Sequence, residues 1–413
     1  MDKFYYMRKR KEFFSMFPNK SIAIINSGMT YVSSADAEFP FVVNKNFYYL
    51  TGLNYPEMTL VLTKTDNTPN EHLFIKRYDP LREKWEGKLM SINGIKEVSG
   101  IESVMFVDQM EDLMFSEINN DKIDKAFLYS QAIKKGQPQS MDNLFLKEFK
   151  ILYPGVKIKD LTSIILDMRA VKDKEELEVM QESIDLTEKA IREMVKMVKA
   201  DKYEYEVGAY FEYIVKSNGG GIAFPTIVAS GENATTLHYT KNNMKLGKDD
   251  LLLLDCGASI NEYNADVSRT FPVGGKFNEL QRKIYQAVLD ANKYIISMAK
   301  CGQTCKHLNN LLVEFYKDRL QKDGLLKEGT TVADVYYHGV SHSLGLDPHD
   351  VFDRNMELSE GMVITVEPGL YFEEYKIGVR IEDDILITKG DAVVLTASIP
   401  KEVDEIEKLM QEK

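Results

Sequence analysis

Leu251-Leu252-Leu253-Leu254-Asp255-Cys256-Gly257-Ala258 is followed, after a short polar stretch, by Tyr263-Asn264-Ala265-Asp266-Val267-Ser268-Arg269-Thr270-Phe271. Four leucines run straight into an aspartate. A continuous apolar run of this kind reads as a strand buried on both faces. Gly257 and the residues to Asn261 read as a connection. A second strand then begins, and it carries Asp266, eleven residues after Asp255. A hairpin would bring the two acids side by side. Two carboxylates in an apolar sheet cannot both stay ionised without a counter-charge, because desolvation and mutual repulsion raise their pKa values. A cation between them is therefore expected.

The chain around this stretch has 413 residues, enough for two or three domains. It is 44% hydrophobic and 28% charged, the composition of an ordinary globular protein. A formal net charge of −12 argues against nucleic acid and against anionic membranes as partners. The three cysteines, Cys256, Cys301 and Cys305, lack framework or Cys-x-x-Cys spacing. They fit a reducing compartment and unremarkable thiols. Met1 to Lys20 has no apolar core of signal-peptide type, and no run reaches the roughly 20 apolar residues of a membrane span. A cytoplasmic protein is expected.

From Met1 to Asp167 short strand-like and helical runs alternate, which argues for an α/β domain. Strands are expected at 21–25, 59–62, 72–75 and 125–129. Helical runs are expected near 101–106, 110–118 and 141–152. His72 is the one histidine of this region, read as structural. Residues 161–173 look like a junction. Asp173 then caps a long helix, with Glu176 as its capping-box partner, and Leu177, Met180, Ile184, Ile191, Met194 and Val198 form one buried face. A second helix is expected over 203–216, then strands at 226–230, at the leucine run and at Asp266. The order repeats: helices over 278–300 and 304–320, then strands near 362–367 and 378–388. Two halves, each helix-helix-strands, suggest a duplication resting on order alone.

Five of the six histidines lie from His238 to His349. His338 and His342 have the spacing of a zinc pair on a helix. The intervening Glu of such a motif is missing, though, and Gly339, Gly345 and Pro348 disfavour a regular helix. Downstream, Met362-Val363-Ile364-Thr365-Val366-Glu367-Pro368-Gly369 ends a strand in an acid. Gly378-Val379-Arg380-Ile381-Glu382-Asp383-Asp384 is an alternating strand with Arg380, Glu382 and Asp384 on one face. Four acids in strongly apolar strands beside a histidine cluster favour a shared metal centre.

In that order and those contexts, Asp255, Asp266, His342, Glu367 and Glu382 resemble the five ligands of the dinuclear pita-bread metallopeptidases, the family of methionine aminopeptidase, prolidase and aminopeptidase P. The resemblance covers Asp173 to the C-terminus. Within the family, the stretch 226–240 with Leu237-His238-Tyr239, the stretch 341–347 and the tail Leu395-Thr396-Ala397-Ser398 resemble bacterial aminopeptidase P, the Xaa-Pro aminopeptidases. Ser33-Ser34-Ala35-Asp36 and Phe47-Tyr48-Tyr49-Leu50-Thr51-Gly52-Leu53 resemble that family's creatinase-like N-terminal domain. Asn46 stands where some relatives have an acid.

The resemblance implies an α+β fold. A smaller α/β creatinase-like domain, 1–167, would precede a pita-bread catalytic domain, 173–413. The latter would be a curved, mostly antiparallel sheet flanked by helices, in two pseudo-repeated halves. It implies a metalloaminopeptidase that hydrolyses the bond between an N-terminal residue and a penultimate proline, with a hydroxide bridging two divalent metals. Four carboxylates and two divalent ions balance, and one imidazole among oxygens suits Mn(II), with Co(II), Fe(II) or Zn(II) as alternatives. Glu367 would shuttle the solvent's proton, and His349 would stabilise the tetrahedral intermediate. His238, His338 and Tyr371 would contact substrate, and Arg380 would tune the ligand acids. Trp85 would reach a neighbouring subunit's site, implying a homodimer or homotetramer. The competing readings are prolidase, restricted to Xaa-Pro dipeptides, and a pita-bread binding module without catalysis.

Overall fold

The computed structural model describes residues 1–119, 122–129, 136, 139–353 and 355–412. The chain forms two compact units, Met1–Met168 and Arg169–Lys413.

The first unit is built on a mixed sheet of six strands whose centre is Ser21–Asn26. That strand pairs antiparallel with Thr59–Thr65 and parallel with Lys125–Leu128. Every residue of Ser21–Asn26 is buried, as a central strand covered on both faces requires. The helices Met110–Asn119 and Met141–Leu152 form as their spacing suggests. The expected helix at 101–106 does not. Helix Ile92–Ser99 ends at Gly100, whose φ of +71° closes the last turn. Val104–Phe106 is then free to pair in parallel with Leu73–Ile75 as an edge strand. Short apolar runs do not distinguish helix from strand by period alone, and pairing decided this one. His72 bonds Ser103 at 2.8 Å and is structural.

The expected junction at 161–173 is largely helix, Thr162–Ala170, because Asp160 accepts from the Thr162 N–H and starts a turn there. Helix Lys174–Met194 follows, opened by the Asp173–Glu176 capping box in both directions. With Glu204–Ser217 it backs a three-stranded antiparallel sheet, Ile227–Ser230, Leu251–Cys256 and Val267–Pro272. The second half repeats this. Helices Glu279–Met298 and Cys305–Lys322 precede the antiparallel sheet Val363–Val366, Asp383–Leu386, Val393–Val394. Leu251, Leu252 and Leu254 join residues of all four helices and of the second-half strands in one apolar core. Each such side chain contributes about 1.5–3 kcal/mol by leaving water.

The single alternating strand expected at 378–388 is broken. Ile377–Arg380 pairs with Gly369–Phe372, whereas Asp383–Leu386 pairs with Val363–Val366. Residues 381 and 382 carry the chain from one pairing to the other. Glu382 is placed by that break and not by strand alternation. No helix among the described residues is long and apolar enough to cross a membrane.

Candidate metal centre

Asp255 is the fifth residue of its strand and lies opposite Ser268; Cys256 lies opposite Val267. Asp266 directly precedes the paired segment. The connection between the two strands folds into its own small pair, Ser259–Ile260 with Tyr263–Asn264. Gly257 makes the close return possible. A Cβ there would sit 1.8 Å from the Ala265 carbonyl oxygen. The first half thus delivers two aspartates to one spot.

The second half delivers two glutamates. Val366 pairs with Asp383, so Glu367 and Glu382 leave the sheet together, one step beyond that pair. The Glu382 N–H donates to the Ser268 carbonyl at 3.0 Å, which ties this end to the aspartate strands. His342 lies alongside, with its N–H on Thr365 Oγ1 at 3.1 Å and its carbonyl accepting the Thr365 N–H at 2.9 Å. Residues 338–349 are irregular and not helical, as their glycines and proline suggest.

His342 Nδ1 lies 3.1 Å from the Ser343 carbonyl oxygen. A carbonyl only accepts, so Nδ1 carries the proton and Nε2 presents its lone pair. That lone pair faces Glu367 Oε1 at 3.5 Å, Asp266 Oδ2 at 3.7 Å and Glu382 Oε1 at 3.8 Å. These separations are too long for hydrogen bonds. They suit neighbouring ligands around one small cation, each about 2.0–2.2 Å from it. Among the described residues, Asp266, His342 and Glu382 form a tight potential ligand triad.

The remaining carboxylate oxygens are sorted by hydrogen bonds. Arg380 Nη2 donates to Asp255 Oδ2 at 2.6 Å, and Arg380 Nε donates to Ser268 Oγ at 2.7 Å. Ser268 Oγ–H in turn donates to Glu382 Oε2 at 2.7 Å. Asp255 Oδ1 is buried with no hydrogen-bond partner among the described residues. A buried carboxylate oxygen left so is costly unless a cation takes it. With protein groups alone around them, burial and then Glu382 and Asp255 push Asp266 well above the carboxylate range. Burial and Glu382 do the same to Glu367. Burial and Asp255 push Glu382 up to about 8. Four acids held this way, with one oxygen orphaned and one imidazole lone pair aimed among them, fit divalent metal ions.

The cluster opens into a cavity of about 1020 Å³, which also takes in His238, His338, His349 and Arg380. His349 stacks on His342, ring centres 4.1 Å apart. His338 Nδ1 bonds the Gly339 carbonyl at 2.8 Å, so Nε2 accepts from the Tyr371 hydroxyl at 2.9 Å. Tyr371 in turn accepts from Arg380 Nη1 at 3.2 Å. The donor direction is fixed along Arg380, Tyr371 and His338. Burial, then Arg380, lowers His338 to about 4, so the ring is neutral at physiological pH. Both its nitrogens are engaged by protein. Trp85 lies in the first unit and is 86% exposed, so it is no packing residue there.

Several supporting residues escape a reading of the sequence. Glu204, fully buried, accepts from Ser230 N–H and Oγ, Asn233 Nδ2, Tyr239 Oη and Met244 N–H, and so staples the loop that carries His238. Arg269 grips the Glu382 carbonyl at 2.6 Å and Asp383 at 2.7 Å from behind the candidate ligands. Arg169 and Lys172 hold Asp350 under the His349 turn. Arg269, three residues past Asp266, carried a weak signal as a charge inside an apolar strand. Glu204 carried none, since its partners lie 26–40 residues downstream.

Acids and an imidazole converging from two antiparallel sheets, at the floor of a cavity large enough for a peptide, define the class: a metal-dependent hydrolase. The sequence profile of metallopeptidase family M24 matches residues 178–389, and that of the aminopeptidase P N-terminal domain matches residues 6–126. Xaa-Pro aminopeptidase 3 of Dictyostelium discoideum is 33% identical over 98% of this chain and 82% of its own. Xaa-Pro aminopeptidase of Escherichia coli is 32% identical over 98% of this chain and 97% of its own. The structure of zinc-substituted E. coli aminopeptidase P in complex with product superposes with a TM-score of 0.90. It is 30% identical and covers 100% of this chain and 99% of that one. The chain belongs to metallopeptidase family M24, in the branch with an aminopeptidase P N-terminal domain, and is a metal-dependent exopeptidase with the two-part α+β pita-bread fold.

Proposed function

We propose that this metallopeptidase removes the N-terminal residue from peptides whose second residue is proline. We further propose that it holds two divalent ions, Mn(II) by preference, on Asp255, Asp266, His342, Glu367 and Glu382. The observation that carries the reading is the joint one: near full-length likeness to Xaa-Pro aminopeptidases, with all five candidate ligands brought to one cavity floor.

The residues divide the work. Arg380 donates to Asp255 Oδ2 and Ser268 donates to Glu382 Oε2, which would steady both carboxylates as ligands for the ions. Bound in this cluster, the ions supply Lewis acidity and a solvent nucleophile ionised near neutral pH. Glu367 takes the nucleophile's proton on Oε2, the oxygen turned toward His338, and returns it to the proline nitrogen as the Xaa–Pro bond breaks. His349 and His238 face the substrate carbonyl and backbone from the cavity wall. His338 and Tyr371 border the substrate through the rigid Arg380–Tyr371–His338 chain. Trp85 contacts a second copy in a homodimer or homotetramer. The free thiols Cys256, Cys301 and Cys305 suit a cytoplasmic, reducing setting.

The test is product analysis with Mn(II) supplied, on Gly-Pro, Gly-Pro-Ala and a longer Xaa-Pro peptide. Release of one free N-terminal residue from the tripeptide and the longer peptide is expected, with much weaker cleavage when alanine replaces proline. Hydrolysis of Gly-Pro alone would assign the protein to prolidase chemistry instead.

A further inference from the structure

One wall of the cavity is the first turn of helix Cys305–Lys322, which contributes Cys305, Lys306 and Asn309. Cys305 Sγ approaches Ser341 Oγ at 3.6 Å, so this turn stands one residue away from the ligand His342. Lys306 and Asn309 are three apart on the helix and share its cavity face. In a chain of net charge −12, Lys306 has no carboxylate partner among the described residues. Among the described residues the cavity's other cation is Arg380, which is committed to Asp255, Ser268 and Tyr371.

Asn309 is oriented by its neighbour. The buried Tyr336 hydroxyl donates to Asn309 Oδ1 at 2.7 Å. Burial, then Glu367, keeps that phenol protonated by raising its pKa far above 10. With its oxygen engaged, Asn309 presents the Nδ2 donors to the cavity. This turn therefore brings an ammonium and an amide N–H pair to the cavity, beside the Ser341 hydroxyl. This is the chemistry that recognises a carboxylate.

The charge also sets the direction of the bound peptide. A substrate's amino terminus is a cation and is disfavoured beside Lys306, so the C-terminal side of the scissile bond runs toward this wall. Resting on the Xaa–Pro reading above, we infer that Lys306 and Asn309 form a carboxylate-recognition corner for the segment after proline. The corner stands on the helix turn whose Cys305 touches Ser341, the residue before His342, and is assigned to the residues just after proline. Its ligand is a carboxylate from one of two sources: the terminal carboxylate of a tripeptide, or an Asp or Glu side chain just after proline. Lys306 and Asn309 are specificity-determining residues, and the reaction chemistry stays with the metal cluster.

The test compares kcat/KM of the manganese-loaded full chain on two substrate pairs. The first pair is Xaa-Pro-Ala as free acid and as amide. The second is Xaa-Pro-Glu-amide and Xaa-Pro-Gln-amide. The wild type is expected to prefer the anionic member of at least one pair by about two- to fivefold, the worth of an exposed ion pair, with the difference in KM. Preference in the first pair identifies the terminal carboxylate; preference in the second identifies a side chain. Lys306→Met should bring the ratio to about one, Lys306→Glu should invert it, and Lys306→Arg should retain it. An unchanged ratio in Lys306→Met, with Xaa–Pro cleavage intact, would overturn the corner alone. So would equal rates for both members of both pairs in the wild type. Failure of the wild type to cleave any of the four peptides would overturn the Xaa–Pro reading and the corner with it.

Discussion

The Nδ1–H of His342 goes to the Ser343 carbonyl, and that one hydrogen bond turns the Nε2 lone pair toward three carboxylates. The same sorting by small partners recurs at Ser268, whose hydroxyl accepts from Arg380 and donates to Glu382. Ser268→Ala removes both bonds and lets Glu382 and Arg380 turn. Metal affinity should fall about 10–100-fold, as for other residues that hold ligands in place, while the fold persists. Titration of the chelated variant with Mn(II), followed by calorimetry, measures this; affinity equal to wild type would remove Ser268 from the site's support. The four candidate acids were legible because each lies in or beside a strongly apolar strand, where an acid needs a reason; His342 stood out from the neighbouring histidines only through the family resemblance. Glu204 and Ser268 were not legible. A buried glutamate at a helix start reads as a capping residue, and a serine in a strand reads as ordinary; only tertiary partners reveal otherwise.

At the level of elements, the leucine run, the helix opened by Asp173 and Glu176, and the order of both halves could be read directly. Local sequence fixes each of them through burial on two faces or through a cap. Apart from the 161–173 junction, which Asp160 turns into helix Thr162–Ala170, the misread elements are those that pairing decides. Val104–Phe106 became a strand because Leu73–Ile75 was open beside it. The 378–388 segment split because two different strands claim its ends. Period-2 reasoning put Arg380 and Glu382 on one face of one strand. They do converge, but across a break and by way of Ser268. Gly257 is the element-scale test. A methyl there meets the Ala265 carbonyl oxygen at 1.8 Å, so Gly257→Ala must push the aspartate strands apart. Overpacking of this kind costs about 1–3 kcal/mol. The melting temperature and metal affinity should fall together; a stable variant with normal affinity would show that the close return does not set the Asp255–Asp266 geometry.

Over the whole molecule, metal binding is expected to couple to stability with a definite pH dependence. In the chelated enzyme the folded-state pKa of Glu382 lies near 8 against 4.5 for the free side chain, and those of Asp266 and Glu367 are raised as well. The folded chain then binds more protons than the unfolded one across this window. Its stability should fall as pH rises from about 4.5 to about 8. The metal-loaded enzyme should lack that decline, because the cations hold the acids ionised. Asp383 works in the opposite sense. Burial opposes its charge, but Arg269 and Lys401 bring it down to about 2, so its contribution is present above pH 3.8 and lost as pH falls toward 2. Melting temperatures of the chelated and loaded protein between pH 5 and 8 should diverge steadily; parallel curves would mean the acids are not mutually buried in solution.

Whether five side chains from two sheets hold two metal ions is read from elemental analysis of the Mn(II)-reconstituted full chain, with Asp266→Asn alongside and activity measured on the same samples. Two equivalents of metal per chain are expected in the wild type, with activity rising as they bind, and loss of metal and activity together in Asp266→Asn. Full peptidase activity at one equivalent or none, or an Asp266→Asn variant that keeps both ions, would contradict a dinuclear centre.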